Sequence, residues 1–289
     1  MADDKHARQD GVWAGTCDLP VAGRSAKPRT DGLTMVIDKG MGASATQDLL
    51  ELAGPYIDLL KLAFGTTAFY SKAALERKLR LAADAGVLVY PGGTFLEVAV
   101  AQDRGTAFLE RAASLGFRVI EISDGTIQMP AHTRYSLMER AVKLNLRVLS
   151  EVGKKHPDDR LSSDTLHRQI AQDLDHGAWR VIVEGRESGK GVGMYRDDGS
   201  IDASEMEEIA ACVPDPAQLI WEAPLKPQQQ ELILHFGCNV NLGNIPATEA
   251  LALEALRVGL RGDTLRATLA AQELPPLQER SRASARPSA

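Results

Sequence analysis

From Leu33 onward the chain alternates between short apolar runs rich in β-branched residues and longer stretches whose apolar positions recur every three or four residues. Runs of the first kind predict strands buried in a sheet, and those of the second predict amphipathic helices. LTMVIDKG (33–40) is a strand ending in Asp38, Lys39 and Gly40, and SATQDLLELA behind it is a helix with Ser44 as its N-cap. IDLLKLAFGTT repeats the scheme, a strand carrying Lys61 and closing on Gly65, Thr66 and Thr67, before a helix from Ser71 to Ala85. VLVYPGG is a third strand, and residues 95–116 are helical on both sides of Gly105. In RVIEISDG the alternation sets Ile120 and Ile122 on one face and Glu121 and Ser123 on the other, with Asp124 and Gly125 ending the strand.

After a helix from His132 to Leu144, RVLSEVGKK (Arg147 to Lys155) forms a fifth strand that Gly153 breaks, delivering Glu151 and then Lys154 and Lys155. A Ser-rich helix start at 162–163 precedes WRVIVEGRESG, a sixth strand carrying Glu184, Arg186 and Glu187. The glycine-rich GKGVGMYRDDGS (189–200) is of the kind that lids and phosphate contacts are made from. A helix over 202–213, the strand QLIWEAP ending in Glu222, and a helix from Lys226 with Pro227 in its first turn come next. VNLGNI, with Asn241 and Asn244, is the eighth strand and TEALALEALRVGL its helix. Eight strand–helix units in strict alternation imply a parallel sheet with helices outside, and in one domain of this size a closed (β/α)₈ TIM barrel. The other architecture compatible with alternation is a doubly wound sheet, but no GxGxxG follows the first strand. The reading divides the chain into an N-terminal extension (1–29), a barrel (30–264) and a proline- and serine-rich tail (265–289) expected to be disordered.

Composition narrows the function classes. The chain has 289 residues, 44% hydrophobic and 25% charged, with a net charge of −6, which argues against a nucleic-acid partner. Its three cysteines, Cys17, Cys212 and Cys238, are far apart and form no CxxC, so neither a disulfide framework nor a zinc site is indicated. The N-terminus has no apolar h-region and no stretch approaches the roughly 18 apolar residues of a membrane span. A cytoplasmic protein is the expectation.

The predicted C-terminal strand ends collect Asp38 and Lys39, Lys61, Glu121 and Asp124, Glu151 with Lys154 and Lys155, Glu184 with Arg186 and Glu187, Glu222, and Asn241 with Asn244. Charges in a barrel mouth are costly unless paired or ligand-bound, so the set points to a site for anionic substrates and a metal. Glu121, Asp124, Glu151, Glu184 and Glu187, without clustered His or Cys, suit an oxygen-preferring cation such as Mg²⁺. Lysine and arginine suit phosphate and carboxylate. Asn241, Gly243, Asn244, Arg261 and Gly262 come after or in the last strand, where barrels frequently hold a phosphate, and are expected to bind it. The six histidines are scattered and read as structural.

TMVIDKG, YIDLLKLAFGTT, VYPGGT, IEISDGTI, SEVGKK, VIVEGRESG, IWEAP and VNLGNI, ending in LEALRVGLRGDT, resemble the phosphosulfolactate synthase family in order from Lys27 to Thr264. The resemblance implies a (β/α)₈ barrel, Mg²⁺ dependence, a homo-oligomer, and addition of sulfite to phosphoenolpyruvate to give (2R)-3-sulfolactate 2-phosphate. The sequence departs mildly from the family pattern at Phe64, often Trp, and at Gly185, usually Ala. In that chemistry sulfite attacks the methylene carbon of phosphoenolpyruvate, charge flows toward the carboxylate, and the neighbouring carbon is protonated. A lysine is the expected acid, its pKa lowered by neighbouring cations: Lys154 or Lys155, which the sequence does not tell apart, with Lys39 and Lys61 next. The alternatives are a related barrel enzyme with another nucleophile or enol acceptor, and a non-catalytic homologue, since the family is also similar to heat-stress-associated plant proteins.

Overall fold

The computed structural model describes residues 11–154 and 161–271. Eight strands, β1 (Thr34–Asp38), β2 (Leu59–Leu62), β3 (Leu88–Pro91), β4 (Val119–Ile122), β5 (Arg147–Val152), β6 (Ala178–Val183), β7 (Leu219–Glu222) and β8 (Leu242–Pro246), form one sheet in the order β3-β2-β1-β8-β7-β6-β5-β4. Every pairing is parallel. Around them lie α1 (Ala43–Ala53), α2 (Lys72–Asp84), α3 (Gly93–Val100), α4 (Gly105–Leu115), α5 (Ala131–Lys143), α6 (Ser163–Asp175), α7 (Ala203–Ala210), α8 (Lys226–Phe236), α9 (Ala250–Arg257) and α10 (Gly262–Ala271). This is the expected single-domain (β/α)₈ barrel. Among the described residues no helix is long and apolar enough to cross a membrane.

The strands owe their place to period-two alternation between two apolar layers. Met35, Leu59, Tyr90, Val119, Leu149, Ile182 and Ile220 meet inside the barrel, while their neighbours Val36, Leu60, Ile120, Val148, Val181 and Trp221 pack outward against the helices. Continuing the inward series one step toward the C-terminal ends replaces apolar side chains by Lys61, Glu121, Glu151, Glu184 and Glu222, all buried. Sequence periodicity thus delivers the charged set to one layer at the top of an apolar core.

One junction differs from the rest: β3 and β4 share no ladder. Side chains close it instead. Glu121 Oε1 accepts the Gly93 N–H at 2.6 Å, and buried Glu97 of α3 accepts from the Ser123 hydroxyl at 2.5 Å and from the backbone N–H groups of Thr126 (2.8 Å) and Ile127 (3.1 Å). Gly93 is required here, because a Cβ would stand 2.4 Å from Ser123 Oγ.

The opposite, N-terminal face of the barrel is closed by the segment before β1. Arg24 pairs with Glu254 at 3.1 Å, Arg29 with Asp58 at 3.0 Å, and Lys27 donates to the carbonyls of Gly54, Ile57 and Ala85. Two local expectations change. The N-cap of α1 is Gly42, with Ser44 inside the helix, and α10 continues to Ala271, past residue 265 where the sequence pattern weakens. Ser71 and Ser162 do cap α2 and α6, accepting from the backbone N–H groups of Ala74 and Thr165.

Candidate active site

Lys61, on β2, reaches into the barrel axis, where its ammonium lies 3.0 Å from Glu121, 3.2 Å from Glu151 and 3.1 Å from Glu222. Three strands thereby converge on one cation. Burial opposes the charge, but the three carboxylates outweigh it and hold the Lys61 pKa well above the ordinary lysine range. The same crowding acts on Glu121. Burial, resisted by Lys61 and reinforced by Glu151 and Glu222, raises its pKa from 4.5 to about 7, so near neutrality the cage carries part of a proton.

The cage opens on a cavity of about 450 Å³ whose wall includes Glu184, Arg186, Glu187 and Asn244. One carboxylate oxygen each from Glu151, Glu184 and Glu222 lies within 4.8 Å of the others. This all-oxygen, all-carboxylate donor set fits a hard divalent cation. Of the carboxylates expected to hold metal, Glu151 and Glu184 belong to this cluster and Glu121 borders it through Lys61. Glu222, noted among the strand ends but not among the metal ligands, completes it. Glu187 stands at the rim, half-exposed and paired with Lys39 across the mouth. Arg186 and Asn244 both have left-handed backbones, φ 59° and 54°, and the Asn244 amide reaches the Arg186 carbonyl at 3.4 Å. Such sparsely populated conformations in non-glycine residues concentrate at functional sites.

Other candidates sit elsewhere. Asp124 is outside the cluster: it accepts from Arg134 at 3.2 Å and from Lys154 at 2.7 Å. Lys154 also donates to the carbonyls of Asp124 (2.6 Å) and Ile127 (3.3 Å), so its ammonium ties the turn after β4 to the end of β5. Lys155 lies outside the described residues. Lys61 does not meet the requirement of a depressed pKa, since carboxylates and not cations surround it.

The phosphate set divides by position, and only Asn244 lines the cavity. Asn241 precedes β8 and bonds the Leu33 N–H and the Ala217 and Leu219 carbonyls at the barrel's other end. Gly243 belongs to the core floor, where a Cβ would meet Met35 Cε at 2.3 Å. Arg261 and Gly262 follow α9, not β8, and a helix returns the chain to the N-terminal face; there the Val258 carbonyl meets the Val21 N–H and Arg257 bonds the Val240 carbonyl. Three buried groups that hold the strand ends were not singled out in the sequence. Arg134 grips Asp173 and donates to the Glu151 carbonyl at 3.0 Å, Lys78 pairs with Asp38, and Tyr195 donates to the Glu222 carbonyl at 2.5 Å. Lys78 and Arg134 lie on helices where a lone cation reads as solvated.

A parallel (β/α)₈ barrel with a buried lysine–carboxylate cage at the C-terminal strand ends defines the chain as a barrel enzyme, because that face is where this fold performs its chemistry. The family model described as (2R)-phospho-3-sulfolactate synthase (ComA) matches residues 22–263. The chain is 43% identical to the phosphosulfolactate synthase of Methanothermobacter thermautotrophicus over 244 residues, 84% of this chain and 94% of that one. It is also 43% identical to the phosphosulfolactate synthase of Methanocaldococcus jannaschii over 235 residues, 81% and 93% of the two chains. It belongs to the phosphosulfolactate synthase family. Among solved structures, 3-hexulose-6-phosphate synthase from Salmonella typhimurium shares the fold, with a TM-score of 0.56 at 10% identity over 79% of this chain and 100% of that one.

Proposed function

We propose that the chain is a phosphosulfolactate synthase that adds sulfite to phosphoenolpyruvate with the help of Mg²⁺. The observation that carries this reading is the convergence of Lys61 with Glu121, Glu151 and Glu222, and of Glu184 beside them, at the mouth of a barrel of this family. Glu151, Glu184 and Glu222 are the residues that would hold Mg²⁺, which when bound supplies positive charge beside the carboxylate on which negative charge develops.

The protein's own groups do the rest. The S–C bond forms at the methylene carbon of phosphoenolpyruvate, the double-bond electrons move toward its carboxylate, and a proton then closes the adjacent carbon. Lys61, permanently charged in its cage, offsets carboxylate charge and orients Glu151 and Glu222 without giving up its proton. Arg186 and Lys39, at the rim, are placed to attract phosphate and sulfite. The proton is assigned to a lysine other than Lys61; Lys39 at the rim is one candidate, and Lys155 lies outside the described residues. The test is direct: purified protein incubated with phosphoenolpyruvate, sulfite and Mg²⁺ should form a sulfonated phosphoester detectable by mass spectrometry, and EDTA should stop it. No product under these conditions, or full activity in metal-free protein, would remove the corresponding part of the reading.

A further inference from the structure

The connection from β6 to α7 is folded as a small docked unit. Tyr195 pairs with Val192 and Ile201 in short antiparallel bridges, and Val192, Met194 and Ile201 are buried. Gln228 of α8 holds the unit's two ends, donating to the carbonyls of Gly189 at 2.7 Å and Gly199 at 2.9 Å. Anchored at both ends, the segment is not shaped as the open lid its glycines suggest.

What it docks onto is Glu222. The Tyr195 hydroxyl donates to the Glu222 main-chain carbonyl at 2.5 Å, and at the root of the same connection the Gly185 N–H donates to Glu222 Oε2 at 3.1 Å. Glu222 Oε1 is left to Lys61, 3.1 Å away. The approach leaves no room at residue 185: a Cβ there would lie 2.5 Å from the Glu222 carbonyl oxygen and 2.7 Å from Tyr195 Cε2.

We propose that Tyr195 is a positioning residue that acts through Glu222, fixing its main chain while Gly185 fixes its carboxylate. The inference rests on the phosphosulfolactate synthase reading for its effect on turnover but not for its effect on Glu222. Tyr195→Phe keeps the ring and removes the hydroxyl. Losing one hydrogen bond should lower Tm by only about 2–4 °C. Loss of a group that orients a ligand-bearing side chain should lower kcat about 10-fold. The Michaelis constant for phosphoenolpyruvate should stay within about twofold, since the anion-attracting rim is untouched.

The second measurement needs no turnover: hydrogen–deuterium exchange of the full-length protein, read in the peptide spanning residues 184–190. Tyr195→Phe should speed exchange there, because a displaced Glu222 no longer accepts the Gly185 N–H. Gln228→Met, which loosens the same loop from α8 without touching Glu222, is the control and should leave kcat within about threefold. If Gln228→Met reproduced the kcat loss of Tyr195→Phe, general loop stability would explain both and positioning would be wrong. Unchanged kcat or unchanged exchange in Tyr195→Phe would also overturn it. If the wild type formed no sulfonated product, the functional reading would fail by itself, and the exchange comparison would still decide whether Tyr195 positions Glu222.

Discussion

Replacing Glu121 by glutamine should change how stability depends on pH more than it changes stability itself. Glu121 is 1% exposed, and its burial with Glu151 and Glu222 nearby raises it from 4.5 to about 7. A group whose pKa is higher folded than unfolded binds its proton more tightly in the folded state. Its contribution is therefore fully present below about pH 4.5 and is lost as the pH rises to about 7. At about 1.4 kcal/mol per pH unit, the interval corresponds to about 3 kcal/mol. Urea unfolding in EDTA at steps from pH 5 to pH 8 measures this as the stability of the wild type minus that of Glu121→Gln. The difference should fall by about 2–3 kcal/mol across that range, whatever its offset from the amide facing Lys61. A difference constant to within about 0.5 kcal/mol would mean that Glu121 ionises like a solvated carboxylate, and that the cage does not carry the proton.

Arg261→Ala should leave binding of phosphoenolpyruvate unchanged by calorimetry, because the residue follows α9 and does not line the cavity; a marked loss would place phosphate there after all. Lys154→Met removes three bonds to the turn after β4, so unfolding should show a loss of about 1–3 kcal/mol while kcat at saturating substrate holds within a few-fold; a 100-fold kcat loss at full stability would make Lys154 the acid. Arg134→Met leaves Asp173, 0% exposed, without its partner and should cost about 3–5 kcal/mol in chemical denaturation.

Reading the sequence located the strand ends well because a strand's inward face is fixed by parity: once Ile120 and Ile122 face the helices, Glu121 must face the axis. The same logic carried Lys61, Glu151 and Glu184. What parity does not give is height along the barrel. Asn241 and Asn244 are three residues apart, about 10 Å of strand, and that distance separates the closed face from the cavity. Nor does it give chain direction beyond a helix, which is why Arg261 and Gly262 looked close to the last strand while lying a helix away from its end. Asp124 read as a ligand because its partner, Arg134, comes from a helix, and no local pattern marks a cation that faces inward from there. Gly42 caps α1 in place of Ser44 because Asp38 already accepts the N–H groups of Gly40 and Met41 and sets the turn.

The junction between β3 and β4 bears on how this scaffold can be altered. In a barrel whose strands are all paired, strand number and stagger fix the circumference, and widening it means adding a strand or shifting a register. Here one spacing is set by the reach of Glu97, Glu121 and Ser123, so its width is a matter of side-chain length. A library randomised at positions 97 and 123, with Gly93 kept, would sample mouths of different girth while keeping every main-chain pairing intact. For accepting bulkier enol substrates, that seam is the adjustable joint of the molecule.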